Sequence, residues 1–408
     1  MRRHLSFVLL AAICVSVLAS CCHNEKKAKY VFYFIGDGMG FSHVSLAEGY
    51  LATKEGKIGN SPLCFSQFPV MGMATSYSAN RYITCSSAAG TALATGAKTN
   101  NGMLGVTPDT VELTAISYKI HNAGFPIGIT TSVTIDHATP ASFYANSAAR
   151  SDYYSIARQL SESGFEFFGG GGFYGVKDKR HAEKSLYDIA VEAGYEFAYG
   201  VEDYKAKKGN SEKMILFQAE EAKRNNDLPY VAERVEGDLQ LPQVVEAAID
   251  FLNNEKGFFL MVEGGKIDWA AHSNDLQGTI LETLDFDQAI QVAYNFYLQH
   301  PEETLIVVTA DHETGGVTLG RGKGYVYDLS VVNEGNKVAQ EGTDVSNYMQ
   351  DISRDSLSVV AKIGWTSTSH TGGAVPVFAV GAQSGLFAGR QDNTDIPKKI
   401  CKAMGVEF

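Results

Sequence analysis

Cysteine is scarce, six among 408 residues, and no two form a close CxxC pair, so a zinc site built from thiolates is not indicated. Runs of basic residues are absent. Lys and Arg number 34 against 46 Asp and Glu, a net charge of -12 that argues against a nucleic-acid partner. The apolar run Leu5 to Leu18 falls short of the roughly 20 residues a membrane-crossing helix needs. A dinucleotide fingerprint is also missing, because Gly36, Gly38 and Gly40 are spaced GxGxG instead of GxGxxG. Gly169 to Gly172 have no lysine after them at P-loop spacing and read as a turn. No internal repeat is visible.

What is present, 45% hydrophobic and 20% charged residues, is the composition of a folded globular chain. The N-terminus reads as a targeting segment: Arg2 and Arg3 precede the apolar run, and Ala19 and Ser20 precede Cys21. Leu18-Ala19-Ser20-Cys21 resembles a bacterial lipobox, in which the cysteine becomes the lipidated first residue. The expectation is a signal peptide over 1–20, a polar tether over 21–29, and an exported protein held at a membrane, periplasmic or at the cell surface. Export permits a disulfide, and spacing leaves a Cys64–Cys401 pairing open.

The remainder, 30–408, reads as one large domain. Tyr30 to Ile35 is a short apolar run ending at Gly36 and fits a buried strand, as do Ile127 to Thr131, Phe258 to Val262, Leu305 to Thr309 and Val375 to Val380. Helical patterns lie between them, at Ser87 to Thr95, Val111 to His121, Leu241 to Asn253 and Thr279 to Leu298. This alternation predicts an α/β fold with a mostly parallel central sheet and helices on both faces. Gly164 to Gln240 reads as an insertion decorating the sheet, and about 320–343 as a second one.

The strand ends carry the candidate chemistry, since open α/β sheets bind ligands beyond the carboxyl ends of their strands. Asp37 follows the first strand, where a turn-forming role and a metal-ligating role stay equally open. Glu263 ends another strand, and Asp268 and His272 follow it four residues apart, which puts both on one helical face. Asp311 and His312 follow a third strand, and His370 lies in a Gly-rich loop before a fourth. Ser86 precedes a helix of small residues, where it is either a cap or an oxygen placed at the positive helix terminus.

With these segments in view, the chain resembles the alkaline phosphatase family over nearly all of its mature length. The motifs are Gly36 to Gly40, Ser86 to Gly96 with Lys98-Thr99 and Asn101-Gly102, His137 to Ala141, Glu263 to His272, Thr309 to Gly316, and His370 to Gly372. The resemblance implies two zinc ions and one magnesium ion. Asp268, His272 and His370 would hold the first zinc, Asp37, Asp311 and His312 the second, and Asp37, Thr139 and Glu263 the magnesium. It implies hydrolysis of small phosphate monoesters through a phosphoserine on Ser86, with Arg150 clasping the phosphate. Relatives are often homodimers.

The chain departs from the family pattern at four residues. Cys85 stands where an acidic residue commonly helps hold the arginine, Ser87 stands where alanine is usual, and His137 and Trp269 replace the Asp and Lys of some relatives. That leaves three roles open for His137 near the third metal site, a direct ligand, a partner of a ligating water or simple packing, and Trp269 lies with it among the candidates for that site. A phosphodiesterase on the same scaffold and a non-catalytic lipoprotein that captures phosphate or zinc are the alternatives. A sulfatase would need Cys-x-Pro-x-Arg, which Cys85 to Ala89 does not provide.

Overall fold

The computed structural model describes residues 26–176, 184–219, 225–332 and 353–408. The lipobox, and the part of the second insertion beyond residue 332, lie outside them. Fourteen strands occur among the described residues: β1 (Tyr30–Gly36), β2 (Val70–Thr75), β3 (Ile127–Thr131), β4 (Phe167–Gly169), β5 (Glu196–Tyr199), β6 (Met214–Phe217), β7 (Phe258–Gly264), β8 (Thr304–Ala310), β9 (Glu313–Thr314), β10 (Val317–Leu319), β11 (Ile363–Trp365), β12 (His370–Thr371), β13 (Val375–Gly381) and β14 (Gly389–Asp392). Ten form one sheet in the order β14-β2-β13-β8-β1-β7-β3-β4-β6-β5.

The centre of that sheet follows from side-chain chemistry. β1, β7 and β8 are buried along their whole length and carry aromatic and branched residues, which favour a strand covered on both faces. They pair in parallel with no stagger: Ile35 aligns with Glu263 and Thr309, and Gly36 with Gly264 and Ala310. β13 runs antiparallel to both of its neighbours, β8 and β2. Long helices Leu241–Leu252 and Leu276–Gln299 pack against the sheet, and aromatic contacts such as Tyr33 with Phe143 and Phe259 fill the space beneath it.

Four sequence expectations change. The stretch 164–240 does not decorate the sheet, because it supplies β4, β5 and β6, strands too short and too interrupted by polar turns to stand out in the sequence. The helix expected from Val111 begins only at Ile116, since Thr107 and Val111 close a turn in which Thr110 takes a positive φ of 64°. Cys64 and Cys401 are free thiols, so the disulfide left open by spacing does not form. The glycine run is not a turn: Gly169 closes β4 and the chain bends after it, in close quarters where a Cβ on Gly171 would stand 2.2 Å from the Asp227 backbone.

Phe259 is fully buried near the start of β7. Phe259→Ala should cost about 3–5 kcal/mol by leaving a cavity under the sheet, read as a lower denaturant midpoint; an unchanged midpoint would contradict this account of the core.

Candidate active site

The register of the sheet delivers the first carboxylates. Because β1, β7 and β8 end level, Asp37, Glu263 and Asp311 emerge side by side. Gly38, at φ 74°, lets the next elements close in, for a Cβ there would meet Thr314 Oγ1 at 2.9 Å and the Asp268 backbone at 3.0 Å. Asp268 and His272 lie on the helix Lys266–His272 that follows β7, and His370 is brought in by the pairing of β12 with β9. The helix Ser86–Thr95 starts at Ser86 itself with Cys85 as its N-cap residue, so Ser86 does not serve as the cap. Its ten residues are all buried and mostly small, and Ser86 is 2% exposed.

Hydrogen bonds on the far sides of the imidazoles fix what each ring presents inward. His272 Nδ1 donates to the Thr368 carbonyl at 2.7 Å and His370 Nδ1 to the Thr84 carbonyl at 2.8 Å. As neutral rings both must then present a bare Nε2. These nitrogens stand 3.1 Å apart, and lie 3.4 Å and 3.6 Å from the oxygens of Asp268. Thr314 donates its hydroxyl to Asp268 at 2.5 Å and so accepts from His312 Nδ1 at 3.2 Å. His312 Nε2 is thereby bare as well, 3.3 Å from Asp37, 3.2 Å from Asp311 and 3.2 Å from Ser86 Oγ. Burial, then the neighbouring His370, lowers the His312 pKa and keeps that ring neutral.

A third group lies beside the second. Glu263 accepts from Thr131 through one oxygen, while its other oxygen, both oxygens of Asp37, Thr139 Oγ1 and His137 Nδ1 are buried with no partner among the described residues. Thus Asp268, His272 and His370 converge, as do Asp37, Asp311 and His312, and Asp37, His137 and Glu263. In the first two groups carboxylates face bare imidazole nitrogens, an arrangement that is costly when buried unless a cation lies between them. The mixed nitrogen and oxygen sets suit zinc, and the oxygen-rich third set suits magnesium.

The remaining expected residues surround these groups. Arg150 Nη2 lies 3.3 Å from His137 Nε2, and its backbone N–H donates to the Gly102 carbonyl at 2.8 Å. Trp269 packs edge-on to His137, ring centroids 5.8 Å apart, and an indole N–H is a donor only, so it cannot ligate. Cys85 Sγ accepts from the Gly102 N–H at 3.1 Å and lies 3.2 Å from Ser87 Oγ. Sequence reading gave no role to Thr131, Thr314, or the carbonyls of Thr84 and Thr368. Thr131 was findable, because it ends a strand in register with Glu263. The carbonyls carry no signal in residue type.

Comparison with known proteins agrees with this geometry. The family model described as "Alkaline phosphatase" matches residues 28–406. The chain is 31% identical to "Alkaline phosphatase 3" of Bacillus subtilis, over 93% of this chain and 90% of that protein. Among solved structures, a cold-active alkaline phosphatase from Shewanella sp. superposes with TM-score 0.78 at 30% identity, covering 92% of this chain and 99% of that one. An alkaline phosphatase from the Antarctic bacterium TAB5 gives 0.76 at 28%, covering 94% and 100%. A TAB5 variant with a histidine replaced by aspartate has Mg bound in its M3 site.

The acidic cluster makes a pH prediction for metal-free protein. Burial, then the charges of Asp311 and Asp268, raises the Asp37 carboxyl well above the usual range; burial, then Asp268, does the same to Asp311. A folded-state pKa above the unfolded one gives stability at low pH that is lost as pH climbs beyond the ordinary carboxylate range near about 4. Chelated protein should therefore melt progressively lower between about pH 5 and about pH 9, and metal-loaded protein should lose less. Equal melting of the chelated form at both ends would contradict an uncompensated acidic cluster.

Proposed function

We infer from one premise, that the chain belongs to the alkaline phosphatase family, how its side chains share the work of that chemistry. The enzyme hydrolyses phosphate monoesters to an alcohol and inorganic phosphate, and the observation that carries our assignment is the convergence of hydrogen-free acceptors around Ser86. Asp268, His272 and His370 would hold one zinc ion, Asp37, Asp311 and His312 a second, and Asp37, Thr139 and Glu263 with His137 a magnesium ion. When bound, these ions supply the positive charge that an in-line displacement at phosphorus requires on its attacking and leaving oxygens.

The residues perform the rest. Ser86 Oγ forms a bond to phosphorus as the ester oxygen departs, and the alcohol takes up a proton. Water then cleaves the phosphoserine, returning the hydroxyl to Ser86 and releasing phosphate. The fixed position of Ser86 at the start of a buried helix removes the entropy of bringing it to phosphorus. Arg150 presents two N–H groups to the nonbridging oxygens, a geometry that favours a dianionic monoester over a diester.

We further propose export and anchoring through a lipid on Cys21, supported by the residues Arg2 to Cys21. Cells fed radiolabelled palmitate should label the chain, and Cys21→Ala should abolish the label; retained label would refute the anchor.

Ser86→Ala should lower turnover by several orders of magnitude while both zinc ions remain bound by elemental analysis. Arg150→Ala should weaken inorganic phosphate binding about ten- to a hundredfold, the value of hydrogen bonds to a charged partner. Hydrolysis of a panel of phosphomonoesters, phosphodiesters and sulfate esters tests the reaction class: a preference for diesters would overturn it.

A further inference from the structure

A cavity of about 630 Å3 opens beside Arg150, within the size of pockets that hold small ligands. It begins where the guanidinium ends: His137 Nε2 lies 3.3 Å from Arg150 Nη2, Tyr153 hydrogen-bonds the same arginine, and both residues line the cavity. Trp269, the residue after Asp268, packs edge-on to His137 and forms part of the wall. Tyr174 adds a third large aromatic ring, its centroid 4.6 Å from that of Tyr153. Although Tyr174 is 66% exposed, its backbone is anchored. The N–H groups of Tyr174 and Gly175 each donate to the buried Asp136 carboxylate at 2.9 Å, and a Cβ on Gly175 would stand 2.7 Å from the Tyr153 backbone. The wall formed by Asn225, Asn226 and Asp227 is fixed as well. Lys266, 2% exposed, pairs with Asp227 and lies 3.8 Å from the centre of the Tyr230 ring, which ties this segment to the helix that carries Asp268 and His272.

We propose that this cavity binds the nucleobase of a nucleoside monophosphate while Ser86 and Arg150 engage its phosphate. The inference rests on the reading of Ser86 and Arg150 as the phosphate-binding centre. Tyr153, Tyr174 and Trp269 offer the aromatic faces on which a planar ring stacks, and stacking tolerates every base because each has a π-face. The amides of Asn225 and Asn226 both donate and accept, as the edge of a base does. Asp227 would repel an anionic substrate if left alone, and the buried ammonium of Lys266 compensates its charge. A sugar or a polyol without a ring system would leave these aromatic faces uncovered, so the cavity discriminates among monoesters by the alcohol that the phosphate carries.

The test measures kcat/KM of the full-length metal-loaded enzyme for AMP and for ribose phosphate esterified at the same primary alcohol, two substrates that differ by the base. AMP should be preferred about tenfold, the value of stacking one base on aromatic side chains. Tyr174→Ala should erase that preference, mainly through KM, and Tyr174→Phe should keep it. Because Tyr174 is mostly exposed, its truncation leaves the fold intact. A merely structural tyrosine would change both substrates alike and leave their ratio where it was. Equal kcat/KM for the two esters in the parent enzyme would overturn the proposal, as would a preference that survives Tyr174→Ala. If neither ester were hydrolysed, the monoesterase reading itself would fall; hydrolysis of both without preference would sink only the base pocket.

Discussion

The site is organised by one electrostatic constraint: too many acceptors meet in too little water. Asp37, Glu263, Asp268 and Asp311 are all buried within one cluster, and the rings of His312 and His370 stack 3.6 Å apart against it. An isolated carboxylate would not stay ionised there, which is why burial and mutual repulsion push Asp37 and Asp311 upward. Divalent cations resolve the conflict, and the same charge is what a phosphoryl group needs on arrival. Binding the metals and binding the substrate are thus two uses of one arrangement.

A second layer of hydrogen bonds keeps that arrangement directional. The carbonyls of Thr84 and Thr368 consume the outer hydrogens of His370 and His272, and Thr314 links His312 to Asp268. Ser132 accepts from the Gly265 N–H at 2.9 Å, holding the turn between β7 and the helix that carries Asp268 and His272. Such partners fix ring orientation and tautomer before any ion arrives, which lowers the reorganisation needed on binding. Residues that never touch a metal in this way decide which atoms face it.

Around Arg150 the chain departs from the family pattern at Cys85. Cys85 does not hold the guanidinium as an acidic residue would. It accepts from Gly102, whose carbonyl in turn accepts from the backbone of Arg150. The thiol therefore meets the arginine's main chain through Gly102, while His137 and Tyr153 lie against its side chain.

Strand cores, the α/β class and the residues at strand ends were legible before folding, because those signals are local: apolar runs bounded by glycine, and charged residues just beyond them. Residue order alone could not assign β4 to β6 to the sheet, since three or four residues between polar turns carry too little pattern, and their place depends on pairing with strands far along the chain. Nor could it tell whether Asp37 was a turn residue or Ser86 a cap, choices made by the register of β1, β7 and β8 and by where one helix begins. Tertiary structure alone decided which nitrogen of each histidine faces inward, because that depends on carbonyls and hydroxyls brought from distant segments, and a backbone carbonyl is the same in every residue.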